Sequence, residues 1–148
     1  MRRFLIIMFL LLLPTYAMKL SVGGSHLIGI HYEFEMSENS IIDMGLGMFE
    51  LGTAIYSASH QFLFSLCGRS DLYIGYGAMA LTIPSIGAYL VAVKVPIGWR
   101  YILDSGNILT LGLDVNYVLG YTDDSGHWSS EMNIDPPILP FPFIAYSF

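Results

Sequence analysis

Charged residues are scarce in this chain. Asp, Glu, Lys and Arg make up 12% of its 148 residues, while hydrophobic residues make up 54%, and an average soluble domain has about 25% charged residues. A water-soluble protein of this composition would be short of solvating surface. The chain has only six Lys and Arg against twelve Asp and Glu. Binding to nucleic acid is therefore not expected, because it depends on basic side chains that neutralise phosphates.

Cysteine is almost absent as well. Cys67 is the only one, which excludes an intramolecular disulfide and leaves burial and backbone hydrogen bonding to stabilise the fold. His26, His31 and His60 are spread along the chain without the spacing of metal-ligand pairs. The sequence therefore predicts no cofactor and no metal.

The one long apolar run lies at the start of the chain. Arg2 and Arg3 precede an apolar stretch over residues 4–13, and Ala17 supplies a small residue after it. This order is typical of a secretory signal peptide, so residues 1–17 are predicted to be removed after export.

The remaining residues, 18–148, are enough for one domain of ordinary size. Gly, Pro or polar residues interrupt every later apolar stretch, whereas a transmembrane helix needs about 20 consecutive apolar residues. The composition of a membrane protein without helical spans indicates a transmembrane β-barrel, in which alternate residues face lipid.

Strict alternation of apolar and polar residues supports that interpretation, because side chains of a strand point to opposite faces in turn. Three segments alternate strongly: Lys19–Met36, Gly87–Leu103 and Ile108–Tyr121. Three more alternate with smaller inner residues: Ile41–Phe49, Thr53–Leu66 and Asp71–Ile83. A short seventh strand is assigned to Trp128–Ile134 and an eighth to Ile138–Phe148.

The sequence thus predicts an all-β fold, an antiparallel up-and-down transmembrane β-barrel of eight strands. Several segments reach the 9 to 11 residues, roughly, that a tilted strand needs to cross a bilayer. With the apolar residues facing lipid, six charged side chains are predicted to share the lumen: Glu33, Glu35, Asp43, Lys94, Arg100 and Asp114. An eight-stranded lumen is only wide enough for side chains to fill, so we expect paired charges that plug it and no open pore.

The last predicted strand carries a family resemblance. Ile144, Tyr146 and the final Phe148 resemble the C-terminal signature by which the barrel-assembly machinery recognises outer-membrane barrel proteins. Pro140 and Pro142 depart from that pattern, since proline cannot donate to a β-ladder. In its signal, size, alternation and last residues the chain resembles the small eight-stranded OmpA/OmpX-type barrels. The resemblance implies a monomer in the bacterial outer membrane, with lipid and the assembly machinery as partners and Phe148 at the periplasmic end.

Function is less readable than architecture. The first hypothesis is a non-catalytic barrel with a structural or envelope-interaction role. One alternative is a narrow pore or a conduit for hydrophobic ligands, and another is a secreted lipocalin-like barrel whose apolar face points inward. A further alternative is a lipid A-modifying acyl hydrolase, because the His-x-Ser spacing of His127 and Ser129 is similar to that of outer-membrane lipid A deacylases. In such a site His127 would be the base, Ser129 the nucleophile and Glu131 the orienting group, although Glu131 lies closer in sequence than that family's pattern implies.

Overall fold

The structure is a computed structural model that describes residues 18–23, 28–48, 52–83, 87–122, 125–130 and 137–148, with the backbone alone for 18–23 and 28. The strands in chain order are β1 (Met18–Gly23), β2 (Ile28–Ser37), β3 (Ser40–Met48), β4 (Ala54–Cys67), β5 (Ser70–Ile83), β6 (Ala88–Ile102), β7 (Ile108–Thr122), β8 (Trp128–Ser129) and β9 (Ile138–Ser147). The described residues include no helix long and apolar enough to cross a membrane.

All strand pairings are antiparallel, and eight long strands follow each other up and down. The order across the sheet is β6-β5-β4-β3-β2-β1-β9-β7-β8, and β6 also pairs with β7. Each of the eight long strands therefore has a hydrogen-bonded neighbour on both sides, while two-residue β8 pairs with β7. The prediction of an all-β fold with eight antiparallel up-and-down strands is confirmed.

Six predicted strands are confirmed to within one residue at each end, namely those that correspond to β3, β4, β5, β6, β7 and β9. The five that correspond to β3 to β7 alternate apolar with polar or small residues and are separated by turn residues, whereas β9 is apolar on both faces over most of its length and follows Pro137. The period-two pattern and the turn composition therefore agreed in those five segments.

The prediction of one strand over Lys19–Met36 is wrong. This segment contains two strands, β1 and β2, which pair with each other in a register that places Met18 opposite Phe34 and Val22 opposite Ile30. The partners' residue numbers add up to an even number in every pair, so residues of the same parity share a face on both strands. The alternation therefore runs through the chain reversal unbroken, and periodicity alone could not reveal it.

The predicted seventh strand over Trp128–Ile134 is placed only in part. Of the three residues that the structure describes in this segment, Trp128 and Ser129 form a strand and Ser130 does not, and the two pair with Thr122 and Tyr121 at one end of β7. Residues 131–136 lie outside the described residues. Over its length β7 pairs with β9 instead, in ten residue pairs from Ile108–Ser147 to Tyr117–Ile138. The eighth long strand comes from the division of Lys19–Met36, not from this segment.

The two ends of the sheet differ in how the strands connect. At one end, here called the turn end, tight connections join β2 to β3, β4 to β5 and β6 to β7. Gly68 and Gly106 take positive φ angles of 59° and 86° in the last two of these connections, which is a conformation that glycine adopts without strain. Ser147 of β9 pairs with Ile108 at the same end. The opposite end, called the loop end, joins β1 to β2, β3 to β4 and β5 to β6, and it also carries the connection from β7 through β8 to β9.

The two prolines of β9 occupy positions that do not interrupt its ladder with β7. The Val118 N–H donates to the Pro137 carbonyl at 2.9 Å, and hydrogen-bonding positions alternate along an antiparallel strand. The backbone nitrogens of Pro140 and Pro142 therefore face away from β7. They point to the side where β1 pairs with β9 in three residue pairs that end at Ala145.

The faces of the sheet are inverted relative to a soluble protein. One face is exposed and apolar in β2 to β7 and β9, and it carries large side chains such as Leu46, Phe64, Ile74, Ile97 and Leu119. The other face is buried and holds most of the charged and polar residues of these strands. The alternation predicted from the sequence thus corresponds to an apolar outside and a polar inside.

Candidate functional site

Five of the six predicted lumen residues come together on the buried face. Glu33, Asp43, Lys94, Arg100 and Asp114 are buried there, with Lys94 only 2% and Asp114 1% exposed. They lie with His31, which the sequence placed on the same face of β2 but did not assign to the network. These six residues are called the buried polar cluster below.

The Glu33–Arg100 ion pair joins distant strands. Arg100 Nη2 donates to Glu33 Oε2 at 2.5 Å, and the Ser147 hydroxyl donates to Glu33 Oε1 at 3.1 Å. Glu33 lies on β2 and Arg100 on β6, which are four steps apart in the pairing order through β3, β4 and β5, and also four steps apart through β1, β9 and β7. The two side chains therefore meet on the buried face of the sheet, although their strands are not adjacent.

Two further pairs complete the cluster. Lys94 Nζ lies 2.8 Å from Asp114 Oδ2, with both side chains at most 3% exposed. His31 Nδ1 lies 3.1 and 3.2 Å from the two carboxylate oxygens of Asp43. Buried charges require partners because their desolvation is costly. Every carboxylate of the cluster has a cationic or imidazole neighbour, which is what burial of so many charges demands.

The space among these side chains is small. A cavity of about 20 Å³ lies between the cluster, Gln61, Tyr73 and Thr110, and this volume suffices for about one water molecule. The Tyr73 ring occupies much of the surrounding room, since it lies against Gly98 and Gly112, where a Cβ atom would meet it. Small residues on β6 and β7 thus admit one large side chain from β5.

Glu35, the sixth predicted residue, is exposed at the turn end and does not join the buried polar cluster. It lines a separate cavity of about 180 Å³ together with Glu38, Asp71 and the side chain of Arg100. The remaining walls of this cavity include Ile41, Leu63, Ile102 and Ile108. The buried face therefore carries a second, larger cavity near the turn end.

Toward the loop end the interior becomes apolar. Ile55, Met79, Ala92 and Val118 form a buried hydrophobic cluster, and its partly buried neighbours are Leu81, Leu90, Leu139 and Phe141. The buried face thus has three levels: an apolar cluster toward the loop end, the buried polar cluster in the middle and a cavity at the turn end.

A second polar constellation lies on the opposite, exposed face. Ser40 Oγ is 2.6 Å from His60 Nε2, and His60 Nδ1 is 3.2 Å from the Tyr76 hydroxyl. Phe62 packs on the imidazole with a ring-centroid distance of 4.6 Å. The residues come from β3, β4 and β5, and register brings them together, since His60 lies opposite Ile42 and Tyr76. The alternation of the predicted strand Thr53–Leu66 puts His60 on the apolar face. The sequence does not show that Ser40 and Tyr76 lie beside it.

The predicted hydrolase residues His127, Ser129 and Glu131 are only partly placed. His127 Nδ1 lies 2.8 Å from Ser125 Oγ in an exposed segment, and Ser129 lies in β8. Glu131 lies outside the described residues.

The three residues of the predicted assembly signal share the exposed face of β9. Ile144 and Phe148 are 65% and 63% exposed. Tyr146 packs edge-on against Phe148 with a centroid distance of 5.0 Å, and its hydroxyl accepts a hydrogen bond from Asn107 Nδ2 at 2.5 Å. Their side chains are available to another surface, while Ser147 between them points inward.

Among the residues whose placement is described, no group of three or more His, Cys, Asp or Glu side chains could hold a metal ion. The comparisons with known proteins give no relative: no family model, no curated protein and no solved structure matches this chain. The functional interpretation therefore rests on the geometry alone.

Proposed function

We propose that this chain is an integral β-barrel protein of the bacterial outer membrane, monomeric, with a lumen plugged by its own side chains and a role in envelope structure or interaction. The observation that carries the proposal is the Glu33–Arg100 pair. A contact of 2.5 Å between strands four places apart in both directions is what a sheet closed into a barrel would produce, and it supports the proposal. Eight strands also give the diameter at which side chains fill the interior.

The exposed face supports placement in lipid. On strands β2 to β7 and β9, as far as their side chains are described, its outward positions carry no Asp, Glu, Lys or Arg. An exposed apolar surface of this extent would be unstable in water. Lipid solvates apolar side chains, and the continuous pairing of the strands satisfies the backbone polar groups that lipid cannot.

Aromatic side chains mark both edges of this apolar surface. Tyr101 stacks with Trp99 near the turn end at a centroid distance of 5.6 Å, and Phe148 lies at the same end. Tyr89 and Tyr117 are exposed near the loop end. Two aromatic girdles at the membrane–water interfaces are typical of outer-membrane barrels.

The placement of polar residues does not favour a lipocalin-like barrel. Such a protein would bind a hydrophobic ligand in an apolar interior and expose polar residues to water. Here the middle of the interior is charged, and the cavity inside the buried polar cluster has a volume of about 20 Å³. The same filling disfavours a pore or a ligand conduit, so we propose a barrel that does not conduct.

Fractionation with a folding readout tests this proposal. The full chain expressed in a Gram-negative host is expected in the outer-membrane fraction, with heat-modifiable migration on electrophoresis. A matched variant, Leu46→Glu, places a charge on the exposed apolar face of β3 and is expected to lower the inserted fraction. Recovery of the wild-type chain in the soluble periplasm, without heat-modifiable migration, would refute the proposal.

A further inference from the structure

From the Ser40–His60–Tyr76 constellation we infer an acyl-ester hydrolase site on the outer, lipid-facing surface of the protein. This inference rests on the proposed membrane placement and adds an activity to it. Among Asp, Glu, Lys, Arg and His, His60 is the only side chain at the described outward positions of β2 to β7 and β9. Ionisable side chains at membrane depth are costly, and where they occur they are commonly functional.

The geometry is that of an activated nucleophile. A serine becomes nucleophilic when a base accepts its proton, and the base works best when a third group orients it. With the proton on His60 Nδ1, the Ser40 hydroxyl donates to Nε2 over 2.6 Å and Nδ1–H donates to the Tyr76 oxygen over 3.2 Å. Both distances lie in or at the edge of the range expected for such a relay.

The surroundings select the substrate class. Ser40 lies opposite Phe62 in the β3–β4 register, and β4 continues past it through the exposed side chains of Phe64 and Leu66. On the other side, Met44 and Leu46 are exposed on β3. The hydroxyl therefore sits inside the apolar surface, close to the turn end and not beyond it. The ester bond of a glycerophospholipid lies at this kind of depth, between the acyl chains and the headgroup.

The reaction balances without any cofactor. The Ser40 oxygen attacks the ester carbonyl as its proton passes to His60 Nε2. The C–O bond to the lysophospholipid then breaks, and the departing alkoxide takes the proton from His60. Water attacks the resulting acyl-serine while His60 accepts its proton. The bond to Ser40 breaks, Ser40 regains the proton, and a free fatty acid leaves. Water is the only co-reactant.

Tyr76 acts as a positioning residue in this scheme, because its hydroxyl holds the imidazole in the tautomer that accepts the serine proton. Phe62 holds the ring from the side. Ser40 and His60 are the residues that touch the reacting atoms.

The test measures hydrolysis in two settings, so that it does not depend on membrane insertion alone. The purified full chain is supplied with phosphatidylethanolamine and phosphatidylglycerol, once in vesicles and once in detergent micelles. Mass spectrometry follows lysophospholipid and fatty acid. A fluorophosphonate probe, which reacts with activated serines, reports the labelled residue by peptide mapping.

We expect lysophospholipid release and fluorophosphonate labelling at Ser40. Ser40→Ala should reduce both to background, and His60→Phe should lower the rate by roughly 10²-fold or more, the usual contribution of a general base. Tyr76→Phe should lower kcat and leave KM unchanged. If Tyr76 had only a structural role, the substitution would not lower kcat selectively. Ser70→Ala, a serine on β5 near the same end, is the matched control and should retain full activity.

Two results would overturn the inference. One is a folded wild-type protein, shown by heat-modifiable migration, that releases no lysophospholipid and is not labelled in either setting. The other is release that persists in Ser40→Ala. Neither result bears on the proposed membrane placement. If the wild-type protein instead hydrolyses phospholipid in micelles but shows no heat-modifiable migration and does not insert into membranes, the placement is refuted and the hydrolase site is not.

Discussion

Ser147 of β9 and Glu33 of β2 are joined by a hydrogen bond of 3.1 Å, and through Glu33 the end of β9 is tied to Arg100 on β6. The first strands, the last strand and the strand opposite them therefore share one carboxylate. Glu33 and Arg100 lie four places apart in the pairing order, so in the proposed barrel their contact depends on the sheet curving back on itself.

Loss of one partner of this pair should be strongly destabilising. Glu33→Gln or Arg100→Met alone leaves an uncompensated buried charge, which costs about 3–5 kcal/mol of unfolding free energy. The double variant should cost less than the sum of the two. Urea unfolding in lipid vesicles, followed by tryptophan fluorescence, measures all three.

The exposed pair at the turn end provides the control. Arg69 is hydrogen-bonded to Asp104, with side chains 53% and 90% exposed, and an exposed pair is worth about 0–1 kcal/mol. Arg69→Met should therefore change the unfolding midpoint little. An equal effect of Arg69→Met and Arg100→Met would contradict the role assigned to the buried pair.

The contact of Tyr73 with Gly112 predicts an overpacking effect. A Cβ at Gly112 would meet the ends of the Tyr73 and Phe143 side chains, so Gly112→Ala should cost about 1–3 kcal/mol. Tyr73→Leu in the same chain should restore part of this loss, because it vacates the space. A double-mutant cycle in the same urea assay measures the coupling, and strict additivity would show that the two residues do not share that space.

The filled interior predicts that the protein does not conduct ions. Planar-bilayer recordings of the purified chain should give no steady, stepwise conductance. The variant Met79→Ala/Phe141→Ala truncates two apolar side chains near the loop end. It should enlarge the space there but leave the buried polar cluster intact, so it should not conduct either. Stepwise conductance of the wild-type protein would overturn the proposed plug.

Cys67 is a natural probe of orientation. It is the one cysteine in the chain and is exposed at the turn end, which the proposal places in the periplasm. A membrane-impermeant maleimide should leave it unlabelled in intact cells and label it after the outer membrane is permeabilised. Ser125→Cys in a Cys67→Ser background moves the thiol to the loop end and should be labelled in intact cells. The reverse pattern would invert the orientation.

Phe148 tests the predicted assembly signal. Phe148→Ala should reduce the amount of protein inserted in cells, because the residue is proposed to be read by the assembly machinery. It should leave spontaneous insertion into lipid vesicles nearly unchanged, because its side chain is 63% exposed and packs mainly on Tyr146. Equal losses in both assays would indicate a structural role only.

The sequence predicted most strands because their composition, periodicity and turns agree. β6 alternates between outward residues such as Val93 and inward residues such as Lys94, and both are placed as the alternation requires. The alternation could not reveal that the chain reverses between β1 and β2. Paired residues of these two strands are both even-numbered or both odd-numbered, so the apolar residues stay on even positions in both strands. The two consecutive glycines, Gly23 and Gly24, have a composition typical of turns and could have indicated this hairpin, but the predicted strand Lys19–Met36 runs through them.

Contacts between strands were harder to predict than the strands themselves. The lumen residues follow from parity, but which carboxylate meets which cation depends on register and on which strands lie opposite one another. The pairing of Glu33 with Arg100 could not be read from positions 67 residues apart. Ser40, His60 and Tyr76 were missed for the same reason, although a histidine on an apolar face was itself a signal.

The formal charge of −6 describes this protein poorly, because much of the charge on its strands lies inside. Counter-ions reach exposed groups and screen them over about 8–10 Å at ordinary ionic strength, but they have no access to Lys94 and Asp114. Added salt should therefore loosen the turn-end pair of Arg69 and Asp104 and leave the middle of the molecule almost unaffected. The ionic strength of the solution can therefore weaken the exposed ion pair at the turn end, while the buried ion pairs are neutralised by each other and do not respond to it.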